Sequence, residues 1–448
     1  MKRIIFSIVA CTAMLTGMAQ QELPAKLSFK EAVKIGLENN VILNQQKNQL
    51  RYTQVNKTSS LLQMGPSIQA NSDFYRTDGN SFNSNEGRVI NGVIDYIGGQ
   101  VSASMPVFNG FNVLNQYRSA NNTNEAQLYQ VQRSNQDVIQ LVSNQYLLCL
   151  LDQELVKISE ENLTTQKVNY DQIKEQSDLG VKAESDLYNQ EYLLKNAELL
   201  LVRANNKLKN DIADLALTLQ IDPTIFVDVE KIEWDVNDLV SDSLTLETMY
   251  ATALERRSDL KQADYREKAA RYGYSALKGR YFPSVTAGIQ YGSRYNYVQG
   301  DVNRSFNDQF MKDNTNLSYG FSIFIPIYNG LLYRSQTAFS KVTYSNAKIQ
   351  SKNTEVTVKT DILRAYQNFN DAKTRYTAAQ SQVRAAELSY KMEKERYDIG
   401  ISNIVQLSTV NQAYVQAQGD FKGAEFNLMF QKLLISYAMG TLQFEDIP

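Results

Sequence analysis

Two hydrophobic periods share this chain. Leu187, Leu194, Leu201, Leu208 and Leu215 recur every seven residues, and Leu407, Tyr414, Phe421, Leu428 and Ile435 repeat that spacing further on. Ala197, Ala204, Ala417 and Ala424 each follow one of these large residues by three. Large and small side chains alternating at a and d positions let neighbouring helices approach closely, as coiled-coil seams require. Both sets lie in stretches without proline, since the seven prolines stand at 24, 66, 106, 223, 283, 326 and 448. Proline removes a helical hydrogen bond and clashes with the preceding turn. Its absence from 107–222 and 327–447, which are rich in Ala, Leu, Gln, Glu, Lys and Asn, therefore predicts helix. A continuous helix from Phe111 to about Asp178 would run ~100 Å at ~1.5 Å per residue, longer than any compact domain of this size.

The second period is two. Ile68, Ala70, Ser72 and Phe74 alternate with Gln69, Asn71, Asp73 and Tyr75, and Val101, Ala103, Met105 and Val107 with Gln100, Ser102 and Ser104. Later, Val285, Ala287, Ile289 and Tyr291 alternate with Thr286, Gly288, Gln290 and Gly292, and Tyr319, Phe321, Ile323 and Ile325 with Ser318, Gly320 and Ser322. Each run is close to the ~9–11 residues of a tilted membrane-spanning strand, with one apolar face and one small, polar face. A soluble sandwich would show the same alternation. The joining stretches, Thr77 to Tyr96 and Val298 to Asn316, are polar and read as long loops.

All of these elements come twice. The stretch from Leu27 to Ile68 returns as Leu244 to Val285, and Pro106-Val-Phe-Asn-Gly110 returns as Pro326-Ile-Tyr-Asn-Gly330. In the alignment set by those prolines, Asp178-Leu-Gly180 matches Asp398-Ile-Gly400. A repeat this long is an architectural half, so the chain divides into repeat one (27–221), a linker (222–243) and repeat two (244–442).

Composition narrows the chemistry. Histidine is absent and the formal net charge is -2, with Lys and Arg scattered. The commonest general base and metal ligand are therefore missing, and no basic patch invites nucleic acid. No nucleophile, phosphate-loop or metal-ligand spacing is recognisable, and Gly98-Gly99 precedes a strand, where it makes no phosphate cradle. Neither an enzyme nor a cofactor is expected. Residues 1–19 read as a signal peptide: Lys2 and Arg3, an apolar stretch from Ile4 to Leu15, and Gly17-Met-Ala19 before Gln20. Cys11 follows Ile8-Val-Ala as in a lipoprotein processing site, but the apolar run continues past it and favours ordinary cleavage. The mature chain, 20–448, then keeps only Cys149, a small core hydrophobe amid leucines. No run of eighteen apolar residues follows the signal.

If the strands do cross a membrane, four cannot close a barrel, and an open edge in lipid leaves backbone groups unpaired. Several copies of the chain are then required.

The order and double occurrence of these motifs resemble the outer membrane efflux proteins, the TolC-like ducts, over about residues 27–442. The carrying residues are the Pro-hydrophobic-aromatic-Asn-Gly strand ends and the segments Ser177-Asp-Leu-Gly-Val181 and Arg396-Tyr-Asp-Ile-Gly-Ile401. Asp186-Leu187, Gln406-Leu407 and the closing Tyr437-Ala-Met-Gly-Thr-Leu442 complete them. The resemblance implies an α+β membrane protein. Four transmembrane strands per chain would complete a twelve-stranded barrel in a homotrimer, in outer-membrane lipid, above a long periplasmic α-helical barrel. Residues 222–243, with Trp234, and the C-terminal tail would form an equatorial belt. It further implies a passive exit duct for a periplasmic adaptor and an inner-membrane pump. Small toxic compounds are the expected cargo, type I protein secretion the alternative, and a periplasmic coiled-coil scaffold or adhesion protein the rival. Leu179, Gly180, Val181, Ile399, Gly400 and Ile401 would form tips that meet the adaptor. Asp186, Tyr397, Gln406 and Thr409 would stand at the periplasmic gate, with an Asp186–Tyr397 hydrogen bond closing it. Relatives carry acidic rings where Gln406 and Thr409 are neutral, which implies a weaker electrostatic filter here.

Overall fold

The computed structural model describes residues 26–83, 87–224, 228–232, 239 and 245–447. The signal peptide with Cys11, and Trp234 with most of the linker, lie outside the described residues.

The helices of the two repeats agree in length. Repeat one has α1 (Phe29–Asn39), α2 (Val41–Leu62), α3 (Asn112–Asp178) and α4 (Glu184–Leu219), of 11, 22, 67 and 36 residues. Repeat two has α5 (Leu246–Arg256), α6 (Ser258–Gly279), α7 (Leu332–Asp398) and α8 (Ile404–Met439), again of 11, 22, 67 and 36. Local chemistry fixes the starts. Ser28 and Glu31 form a capping box on α1, and Thr245 accepts from the Thr248 N–H on α5. At ~1.5 Å per residue, α3 and α7 are each ~100 Å long, as the missing prolines predict. None of the ten heptad positions is exposed, and Leu194, Leu215, Leu407, Leu428 and Ile435 are buried. The main core gathers side chains from both repeats, among them Phe29, Val142, Tyr146, Leu215, Ile362, Phe369, Leu428 and Ile435. Cys149 is free and buried within it, and burial pushes its thiol up to about 12. Among the described residues no helix is long and apolar enough to cross a membrane.

Two short strands, β1 (Lys26–Leu27) and β4 (Asp228–Val229), pair in parallel beside the core. The main sheet holds β2 (Ser67–Asn83), β3 (Arg88–Phe108), β5 (Ser284–Val298) and β6 (Asn316–Phe324) in the order β2-β3-β5-β6, antiparallel throughout. Register puts like with like. Ala70 opposes Val101, Val101 opposes Tyr291, and Tyr291 opposes Leu317, which makes one apolar row. On the other face Gln69, Ser102, Gln290 and Ser318 form a polar row.

Two expectations need correction. The polar stretch 77–96 is not mostly loop: β2 and β3 stay paired up to Asn83↔Arg88. Ladder hydrogen bonds are indifferent to side-chain polarity, and Arg76 sits directly opposite Asp95 with a Nε–Oδ1 distance of 2.6 Å. Ile325 also lies beyond the end of β6 at Phe324. The stretch after Val298 is a loop as expected, with a helical turn over Phe306–Asp308 that runs into a π-turn over Gln309–Asp313. That loop completes the sheet edge. β6 pairs with β5 only as far as Gly292↔Asn316, and three side-chain amides replace it above. Asn314 donates to the Arg294 carbonyl, Gln309 bonds both backbone groups of Asn296, and Asn303 both of Val298. Five backbone groups on the surplus edge of β5 thereby find partners. The outer edges of β2 and β6 are not paired to any strand among the described residues.

Candidate functional site

Each long helix ends in the same turn. After α3, the Gly180 N–H donates to the Ser177 carbonyl (2.9 Å) and the Val181 N–H to that of Gln176 (2.8 Å), with Gly180 at φ +73°. After α7, Gly400 donates to Tyr397 (3.0 Å) and Ile401 to Arg396 (2.8 Å), with Gly400 at φ +78°. This pair of bonds is the Schellman arrangement, which places its glycine in the left-handed region that side chains disfavour. A β-carbon at either glycine would meet nothing within 4 Å, so it is backbone conformation, not space, that favours glycine here. The flanking aliphatics point into solvent: Leu179 is 73% exposed, Val181 71%, Ile399 70% and Ile401 67%. The two turns thus leave four aliphatic side chains exposed.

Just above the tips, Ile173, Ile404 and Leu407 form a small separate core, with Leu187, Tyr390, Tyr397 and Val410 packed against it. The sequence-predicted gate residues sit around this core but do not form one constellation. The Tyr397 hydroxyl is buried and has no hydrogen-bond partner among the described residues. The expected Asp186–Tyr397 bond is therefore not made. Asp186 stays in the first turn of α4, where the helix dipole favours a carboxylate, and Lys182 covers the Tyr397 ring with its ammonium 4.7 Å from the ring centre. Burial, then the charges of Asp186 and Asp398, hold the Tyr397 phenol above its ordinary pKa.

Gln406 belongs to a different group. Its side-chain oxygen accepts from the Ser402 hydroxyl at 3.0 Å, and its N–H is capped by Asn403 at 3.0 Å. Ser402 also donates to Glu393, which takes a further bond from Arg396 at 3.1 Å. Glu393 is buried, an acidic residue behind the neutral Gln406 that the sequence reading missed. Thr409 is exposed and donates only to the Val405 carbonyl of its own helix at 2.9 Å. Beside it runs a neutral amide seam, in which Asn411 donates to Asn162 at 3.1 Å and Gln190 to Gln166 at 2.8 Å.

A second charged group was also missed. The buried Asp152 carboxylate lies 2.5 Å from the Lys207 ammonium, which reaches Asp211 at 3.2 Å. Burial, and then Asp211, push Asp152 up to about 6 against the opposing pull of Lys207. Repeat two carries Ala372, Asn427 and Gln431 at the equivalent positions, so the charge cluster exists once per chain. Among the described residues no group of ligands could hold a metal ion.

The sheet is thus apolar on one face and, among the described residues, unpaired at both edges, and it is joined to ~100 Å helices that end in exposed apolar turns. The chain belongs to the outer membrane efflux protein family, whose sequence profile matches residues 37–219 and 249–429, one match per repeat. It is accordingly a protein of the outer membrane. The probable efflux pump outer membrane protein TtgC of Pseudomonas putida is 24% identical over 320 residues, 69% of this chain and 62% of that protein. Outer membrane protein TolC of Escherichia coli is 22% identical over 284 residues, 62% of this chain and 56% of that protein. The chain thus matches less than two thirds of the length of each. Among solved structures, the CmeC outer membrane channel of Campylobacter jejuni superposes with TM-score 0.80 at 16% identity, covering 92% of this chain and 85% of that one. VceC of Vibrio cholerae does so with TM-score 0.79 at 13% identity, covering 92% and 96%. At such identities the likeness establishes the fold, TolC-like with two repeats.

Proposed function

We propose that the protein is the passive outer-membrane exit duct of a tripartite efflux system. It works as a homotrimer that receives small toxic compounds from an inner-membrane pump through a periplasmic adaptor. One observation carries this reading: the sheet has one apolar face and two edges that no strand pairs among the described residues, which in lipid is tolerable only inside a closed barrel. Three chains would supply twelve strands, enough to enclose a water-filled lumen lined by the row of Gln69, Ser102, Gln290 and Ser318. The exposed tips Leu179, Val181, Ile399 and Ile401 are the surface offered to the adaptor, and Gly180 and Gly400 hold them in place. The periplasmic gate is neutral at its rim, with Gln406 and Thr409 forward and Glu393 neutralised by Arg396 behind. Energy comes from the pump, and no reaction is catalysed here.

The test is a deletion strain compared with its complemented parent. The deletion should accumulate a fluorescent pump substrate several-fold and lose resistance, while reconstituted protein conducts ions across planar bilayers. Unchanged accumulation together with no conductance would overturn the reading.

A further inference from the structure

Two adjacent glycines in β3 each carry an aromatic ring, on opposite faces of the sheet. A β-carbon on Gly99 would stand 3.0 Å from the Phe310 Cζ, on the apolar side with Val101. There the ring extends the apolar face. A β-carbon on Gly98 would stand 2.9 Å from the Tyr96 Cε1, on the polar side with Gln100. Tyr96 thus lies over the buried Gly98, and it stacks on Tyr75 with ring centres 4.5 Å apart. An aromatic floor on the polar side of the sheet adds nothing to the contact with lipid.

Register sets a charge on either side of that floor. Asp73 opposes Gly98, and Gly98 opposes Arg294. The carboxylate and the guanidinium rise from strands two apart, ~10 Å at the usual spacing of neighbouring strands. Among the described residues neither side chain has a hydrogen bond or an ion pair. Other charges nearby are matched: Arg76 with Asp95 at 2.6 Å, and Arg304 with Asp313 at 2.8 Å. Asp73, Tyr96, Gly98 and Arg294 line one cavity of about 370 Å³ together with Gln100 and Gln290, which bond each other at 2.9 Å. Such a volume suits a small organic molecule. Strand pairing does not require the arrangement. Aligned on Pro66 with Pro283 and on Gly110 with Gly330, Asp73 falls on Gln290, Tyr96 on Asn316, Gly98 on Ser318 and Arg294 on Thr77. The repeat keeps the strands and drops the site, which therefore occurs once per chain.

We infer that this cavity is a lumenal subsite for small zwitterions that carry a flat ring between their two charges. The anionic end meets the Arg294 guanidinium, whose planar fork matches a carboxylate, and the cationic end meets the Asp73 carboxylate. The ring lies on Tyr96, where aromatic faces stack with an offset. A compound with one charge leaves the other end of the site unanswered, so the pair selects for both. Asp73 and Arg294 are exposed, and each contact is accordingly weak by itself. That suits an exit path, in which binding must be favourable enough to admit a compound and weak enough to release it. This inference rests on the duct reading and names a class of cargo for it.

The test uses a biphenyl with an aminomethyl group at one end and a carboxylate at the other, and its two singly charged analogues as controls. In equilibrium dialysis against the detergent-purified oligomer, the zwitterion should bind at least ten-fold more tightly than either control. Arg294→Gln should reduce its affinity to that of the amine control and leave the amine unaffected. Asp73→Asn should reduce it to that of the carboxylate control and leave the carboxylate unaffected. Tyr96→Ala should weaken all three. Neither charged side chain has a partner to lose, so both variants should keep the heat-modifiable oligomer. The crossed pattern then reports contact with the ligand, which a merely structural role would not produce. A zwitterion that binds no more tightly than the controls, or that ignores both charge variants, overturns the subsite. Conductance of the same preparations in planar bilayers separates the two readings. Protein that conducts without this binding loses the subsite alone, and protein that binds without conducting loses the duct reading alone.

Discussion

The Lys182 ammonium stands 4.7 Å from the centre of the Tyr397 ring, so the two repeats meet through a cation and an aromatic face beside the tips. The Tyr397 hydroxyl itself is buried without a partner among the described residues. A buried polar group left unpaired costs ~1–3 kcal/mol, whereas an exposed cation–π contact contributes ~0.5–1 kcal/mol. Tyr397→Phe should therefore leave single-channel conductance unchanged and the thermal midpoint equal or higher. Lys182→Glu should lower the midpoint. A large conductance change in Tyr397→Phe would mean that the hydroxyl finds a partner the structure does not contain.

Gly400 occupies the left-handed region with open space around its missing β-carbon. Gly400→Val should strain the turn by ~1–2 kcal/mol and redirect Ile399 and Ile401 while the distant sheet and core stay folded. Heat-modifiable oligomers should survive and efflux should fall at least ten-fold, read as dye accumulation. Normal efflux in this variant would remove the tips from the proposed adaptor contact.

Asp152 titrates at about 6 in the folded chain, above the ~3.9 of an unfolded aspartate. A raised carboxyl pKa means that the folded state holds the proton more tightly, so this group's contribution to stability is lost as pH rises from about 4 through about 6. Asp152→Asn has no such loss. Its stability relative to the parent should improve across that window and level off above it, measured as the difference in denaturation midpoints at pH 4.5 and 7.5. A difference that shrinks with rising pH would show that Lys207 outweighs burial.

Val101 and Ser102 are neighbours in β3 that face opposite ways. Val101→Lys puts an ammonium against hydrocarbon, at a cost of ~2–4 kcal/mol near the bilayer midplane, whereas Ser102→Lys meets the aqueous lumen. The first should deplete folded oligomer from the outer-membrane fraction, and the second should assemble normally and shift ion selectivity towards anions. Equal assembly of the two would contradict the assignment of faces.

Much of this was legible in the sequence because periodicity reports burial. The heptads at 187–215 and 407–435 marked the helical seams, and the proline positions marked their ends. Pattern failed where backbone pairing ignored side chains: residues 77–96 look like loop because Arg76, Asp78 and Asp95 are polar, yet the hairpin ladder continues through them. It failed again where chemistry depends on distant neighbours. Asp152 and Lys207 are far apart in sequence and look like two solvated charges until α3 and α4 bring them together. Glu393 and Ser402 meet only because the tip turn folds the chain back, a bend that a glycine announces without saying which side chains it joins.

The central claim is that one chain is a fraction of a closed wall. Native mass spectrometry of the purified mature protein, extracted from outer membranes in detergent, reads this directly. It should register a single species of three chains that dissociates when the detergent is withdrawn or the sample boiled. A monodisperse single chain, soluble without detergent, would contradict the claim at its root.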